Sequence, residues 1–162
     1  MGARVGRIVC LLAVSAALTI GCGASGGGGV AADRDDLSRA VTRAVYARDY
    51  QFLYEHATGN LKSLYGSSKE QWTDGVTARL REEDLSEGDV DASRADVQYT
   101  NVAGSTLAQV FVDAPAGTRV DFGVFLKRIE DNRWAYCGVG VREAGSEDDY
   151  NDLFGPESPS GC

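Results

Sequence analysis

The sequence predicts an α+β domain, with N-terminal helices packed on a four-stranded antiparallel sheet. Three observations lead there. From Leu37 to Leu80 the apolar residues recur at steps of three and four, the period of a helix face. From Ala95 to Val141 they recur at steps of two, the period of a strand. The alternating runs are joined by short, turn-rich connections, which antiparallel neighbours can use and parallel ones cannot. Helices first and strands after is the order of an α+β chain.

Each element can be justified in turn. Asp33 or Asp35 caps a first helix whose stripe is Leu37, Ala40, Val41, Ala44 and Val45. Asp49 opens a second helical turn carrying Phe52, Leu53 and Ala57, which Thr58-Gly59-Asn60 ends. Ser67-Ser68-Lys69-Glu70 reads as a capping box, with Ser67 at the cap and Glu70 three residues on. The helix it starts places Trp72, Val76 and Leu80 on one line, with Arg79, Arg81, Glu82 and Glu83 toward water or its end.

The strand half follows. Ala95, Val97 and Tyr99 alternate with polar residues, and Ala103-Gly104-Ser105 turns the chain. Leu107 to Val112 is the second strand, and Pro115-Ala116-Gly117 the next turn. Val120, Phe122, Val124 and Leu126 form one face of the third strand, which puts Asp121 on the outer face. Asp131-Asn132 turns again into Trp134 to Val141, where Trp134 and Tyr136 share a face and Cys137 takes the other.

Composition limits what this domain does. With 162 residues, 43% of them hydrophobic, the chain makes one domain. Twenty-four acidic residues outweigh 16 basic ones, a formal charge of −8 that repels phosphate backbones and excludes nucleic acid as a partner. One histidine and no Cys-x-x-Cys pair argue against zinc and redox sites, and no motif implies a cofactor.

Residues 1–21 read as an address. Arg4 and Arg7 precede an apolar run from Ile8 to Ile20, the layout of a secretory signal and too short for a comfortable span. The run ends Thr19-Ile20-Gly21-Cys22, which resembles the lipobox of bacterial lipoproteins, with Thr19 where that family usually has Leu, Val or Ile. The resemblance implies a cleaved chain beginning at Cys22, which carries the lipid, and a domain held on the extracytoplasmic face of the cell membrane. Two or more acyl chains give stable attachment where one does not. Residues 22–32 are glycine-rich, a flexible tether reaching roughly 15–20 Å. Loss of Arg4 and Arg7 leaves 14 basic against 24 acidic residues, a mature side-chain charge of −10.

Cysteine arithmetic then follows. Cys10 leaves with the signal and Cys22 takes lipid, so Cys137 and Cys162 remain in an oxidising compartment. They can pair with each other, closing a loop of about 25 residues worth about 3 kcal/mol in a chain-entropy argument, or Cys162 can pair with another molecule. The intramolecular bridge would pin residues 145–162, an acidic tail rich in Gly and Pro that would not fold alone.

The folded part also resembles a known family. A helical pair with Ala47-Arg48-Asp49-Tyr50 at its hinge, a third helix, then strands ending in Arg133-Trp134 is similar to the NTF2-like, or cystatin-like cone, superfamily, and to small actinobacterial lipoproteins that carry it. Thirteen Arg against three Lys fit such a GC-rich source. The resemblance covers residues 33–144 and implies a curved sheet around the first helix, a conical pocket and, commonly, a homodimer. Tyr46, Tyr50, Tyr99, Phe122, Val124, Trp134 and Tyr136 would line that pocket.

Enzymes of that superfamily, isomerases and dehydratases among them, use Asp, His and Tyr groups inside the cone. The corresponding candidates are Asp49, His56, Tyr46, Tyr50 and Tyr54. The three tyrosines are spaced by four and share a face if no break falls at Asp49. His56 has no orienting partner beyond Glu55 and reads as a solvated or capping residue. No acid falls by pattern inside the cone. The expectation is therefore a non-catalytic lipoprotein that binds a small apolar ligand or an envelope protein. An isomerase or dehydratase and an accessory subunit of an envelope complex are the alternatives.

Overall fold

Helix–sheet packing follows from the two periodicities. The computed structural model describes residues 33–102, 104–130, 133–147, 149–156 and 162. The signal segment, Cys22, the glycine tether and the Asp131-Asn132 turn lie outside the described residues. Helices α1 (Arg34–Tyr46), α2 (Tyr50–His56), α3 (Gly59–Leu64) and α4 (Lys69–Glu82) precede strands β1 (Val97–Val102), β2 (Ser105–Asp113), β3 (Arg119–Arg128), β4 (Trp134–Glu143) and β5 (Asn151–Phe154). The strands form one antiparallel sheet in sequence order. It has five strands where the sequence predicted four. The fifth comes from the acidic stretch, where Leu153 and Phe154 turn inward and are buried.

The helices start and stop where side chains satisfy their backbone ends. Asp33 caps α1 by accepting from Asp35 N at 2.8 Å. Helix α1 ends in a Schellman motif: Asp49 N donates to Ala44 O and Arg48 N to Val45 O, with Arg48 at φ 56°. This break falls between Tyr46 and Tyr50, so the three tyrosines do not share a helix face. Helix α4 closes the same way, with Asp84 at φ 49° and Leu85 N donating to Leu80 O.

Two boundaries differ from the sequence reading. Thr58-Gly59-Asn60 does not end a helix but opens α3, because the Thr58 hydroxyl accepts from Leu61 N. The cap of α4 is Ser68 rather than Ser67: Ser68 Oγ accepts from Gln71 N, and Gln71 Oε1 reaches back to Ser67 N. The box is therefore Ser68 with Gln71, one residue later than predicted.

Core and site position depend on one sheet face. Ala108, Val110, Phe122, Val124, Leu126, Tyr136 and Val139 meet Leu37, Val41 and Val45 of α1 and Trp72, Val76 and Leu80 of α4 in one buried cluster. Tyr136 also ties helices to sheet. Its hydroxyl donates to Leu53 O at 2.8 Å, and its carbonyl accepts from Thr58 N at 2.8 Å. A register shift at Phe125/Leu126 lets Tyr136 and Val139 both face inward. Cys137 turns to the other face and is disulfide-bonded to Cys162, with Cα atoms 5.4 Å apart.

Candidate functional site

The inward face is filled rather than hollow beside α1. Phe122, Val124 and Tyr136 are fully buried, and Trp72, Tyr46 and Phe154 fill the space beside them. Tyr46 and Phe122 rings lie 5.7 Å apart, and Trp72 meets Phe154 edge-on at 6.2 Å. The packing opens toward one end, where α1 and α4 finish against the β2–β3 connection. There a solvent-open recess of about 360 Å³ is walled by Leu85, Ala114, Val120 and Val141, with Tyr46, Ser86, Thr118, Arg142 and Asn151 also in its lining. The four wall residues are half-buried apolar side chains at the edge of the core.

Polar side chains surround these apolar walls. The Tyr46 hydroxyl is buried with no hydrogen-bond partner among the described residues. Burial pushes its pKa up to about 12, against a smaller opposing pull from Arg48. Glu83, Asp84 and Glu143 stand on the rim. Arg48 donates to the carbonyls of Val45 and Leu85, at 3.3 and 2.5 Å.

The other expected site residues are dispersed. Tyr50 and Trp134 are half-buried against the core periphery. Tyr99 lies at the β1 edge, where its hydroxyl bonds Asp35 and Arg34 stacks 3.8 Å over its ring. Burial first, and then the Asp35 carboxylate, raise the Tyr99 pKa. Asp49 is an exposed cap that accepts from Phe52 N at 3.0 Å. His56 is not solvated: it stacks on Phe52 at 4.0 Å, and its Nδ1 donates to Phe52 O at 2.9 Å. Asp49 and His56 are thus held by α2 itself.

A second polar group was not expected. Asp121 does lie on the outer sheet face, yet it is 2% exposed. Its Oδ2 accepts from Arg142 Nε and Nη2, both at 2.8 Å, and from Gln109 Nε2 at 3.0 Å. Tyr150 covers the cluster, accepting from Gln109 at 3.1 Å under the Arg142 guanidinium. It can lie that close because Gly123 and Gly140 carry no side chain; a Cβ there would sit 2.8 and 3.0 Å from Tyr150. Burial and the Asp121 carboxylate raise the Tyr150 pKa. The glycines that admit Tyr150 stand on two different strands, Gly123 on β3 and Gly140 on β4, and are brought opposite each other only by strand pairing.

Among the described residues no helix is long and apolar enough to cross a membrane, and no group of three or more His, Cys, Asp or Glu is placed to hold a metal ion. No protein family, curated protein or solved structure matches the chain.

Proposed function

We propose that the protein is an extracytoplasmic lipoprotein, anchored through Cys22, whose NTF2-like domain binds rather than turns over. Its occupant is a small ligand with an apolar body, and its site is the recess beside Leu85, Ala114, Val120 and Val141. The observation that carries this reading is that recess. There apolar residues at the edge of the core are open to water, in a volume at the lower end of the ~300–1,000 Å³ usual for ligand sites.

Several features support the rest. The Gly21-Cys22 lipobox resemblance gives the address, and the Cys137–Cys162 bridge suits an oxidising compartment. The order of helices and antiparallel strands accords with the NTF2-like expectation.

Titration of the full-length Cys22→Ser chain with decanol, followed by amide chemical shifts, tests the binding role. Shifts confined to Leu85, Ala114, Val120 and Val141 are expected. A chain that shows no response there, or whose turnover of any substrate is lost in Tyr50→Phe or Asp49→Asn, overturns it.

A further inference from the structure

Resting on the recess as a binding site, we propose that its ligand is a lipophilic amine, cationic at neutral pH, and not a fatty acid or a neutral lipid. The walls fix the apolar half of that description. Leu85 follows the αL residue that ends α4, Ala114 leaves β2, and Val120 and Val141 face one side of neighbouring strands. Together these four offer aliphatic carbon, flanked by the polar Ser86, Thr118 and Asn151.

The rim fixes the charged half. Three carboxylates, Glu83, Asp84 and Glu143, stand around the opening. Glu83 is partly neutralised by Arg79 at 3.3 Å. Asp84 and Glu143 have no ion pair among the described residues. Glu143 lies on the Val141 side of β4, since alternate residues share a face.

Arg142 also lines the recess, with its guanidinium bound to Asp121, and nearby Arg48 is held by the carbonyls of Val45 and Leu85. The lining thus holds three carboxylates against one guanidinium that is already paired, and the net charge of the chain, −8, has the same sign. A carboxylate ligand would meet like charge at the rim, whereas an ammonium group would meet complementary charge.

Tyr46 adds an acceptor. Its buried hydroxyl forms part of no hydrogen bond among the described residues, so a donor that reaches it from the recess would meet an unused acceptor. An ammonium has three donors and no acceptor, which matches carboxylates and a phenol oxygen alike.

The test compares three ligands of equal chain length on the full-length Cys22→Ser protein: decylammonium, decanol and decanoate, each below its micelle concentration. Decylammonium is expected to bind about tenfold tighter than decanol, the scale of two partly exposed charge contacts. Decanoate is expected to bind weakest. The double variant Asp84→Asn, Glu143→Gln should bring decylammonium to within about threefold of decanol and leave decanol unchanged. Added salt should narrow the same gap.

Equal binding of decylammonium and decanol, or tighter binding of decanoate, overturns the amine assignment and leaves the recess as a site for neutral or anionic lipid. Failure of all three overturns the amine assignment together with the binding role on which it rests. Thermal unfolding of the double variant within a few degrees of the parent separates a lost contact from a lost fold.

Discussion

Asp121 shows how much one residue's environment can depend on distant chain. Its carboxylate is buried with Oδ2 saturated by Arg142 and Gln109 and Oδ1 unpartnered among the described residues. Removing the cation leaves an uncompensated buried charge, a loss of 3–5 kcal/mol in comparable cases. Arg142→Met should therefore cost about 3 kcal/mol in urea unfolding, and adding Asp121→Asn should restore most of it. Tyr46 is the opposite case, a buried hydroxyl that gains nothing from its burial. Its pKa is raised from 10 to about 12 in the fold. The stability tied to the neutral phenol is thus whole below pH 10 and lost as pH rises toward 12. Tyr46→Phe should hold or raise stability at neutral pH and flatten the decline over that alkaline window, read by unfolding at a series of pH values.

At the scale of elements, caps and pins decide the boundaries. Two serines precede α4, and only the second caps it. Ser68→Ala should cost about 1 kcal/mol and Ser67→Ala much less, measured by thermal unfolding. Strand β5 is short, and its neighbours along the chain are acidic. It holds through pairing with β4, contact of Phe154 with Trp72 and Tyr136, and the Cys137–Cys162 bridge beyond it. Reduction should cost about 3 kcal/mol and speed amide exchange first in Asn151–Phe154, ahead of β2 and β3. What was legible in the sequence was local. Trp72, Val76 and Leu80 at steps of four, and Val120 to Leu126 at steps of two, describe faces that their own elements create. Strand β5 was not legible, since a run of four residues carries no period and its strand form depends on a partner ten or more residues away. The burial of His56 was missed because its partner, the Phe52 ring and carbonyl, becomes a neighbour only once α2 has formed. The start of α3 was missed because Thr58-Gly59 suits a helix end as readily as a helix start.

For the whole molecule, the same division applies to the site. Tyr46 came into view only through the family resemblance, which placed it in a cone; here it lies at the end of α1 beside the recess. Leu85, Ala114, Val120 and Val141 meet only because two helix ends and three strands converge. Phe122, Val124 and Tyr136 pack into the closed core instead of facing open space. The tether and the acidic surface give this site its proposed setting: a domain of net negative charge held a short way off an anionic membrane, with its opening negative as well. All of that rests on the lipoprotein address proposed for residues 1–22 and on the compartment it implies. Intact-mass analysis of the protein taken from the membrane fraction tests both at once. The account predicts a chain that begins at Cys22, carries acyl chains on that residue, and lacks the two thiol hydrogens of Cys137 and Cys162. A chain that retains Met1 to Gly21, or that carries Cys22 free of lipid, would contradict it.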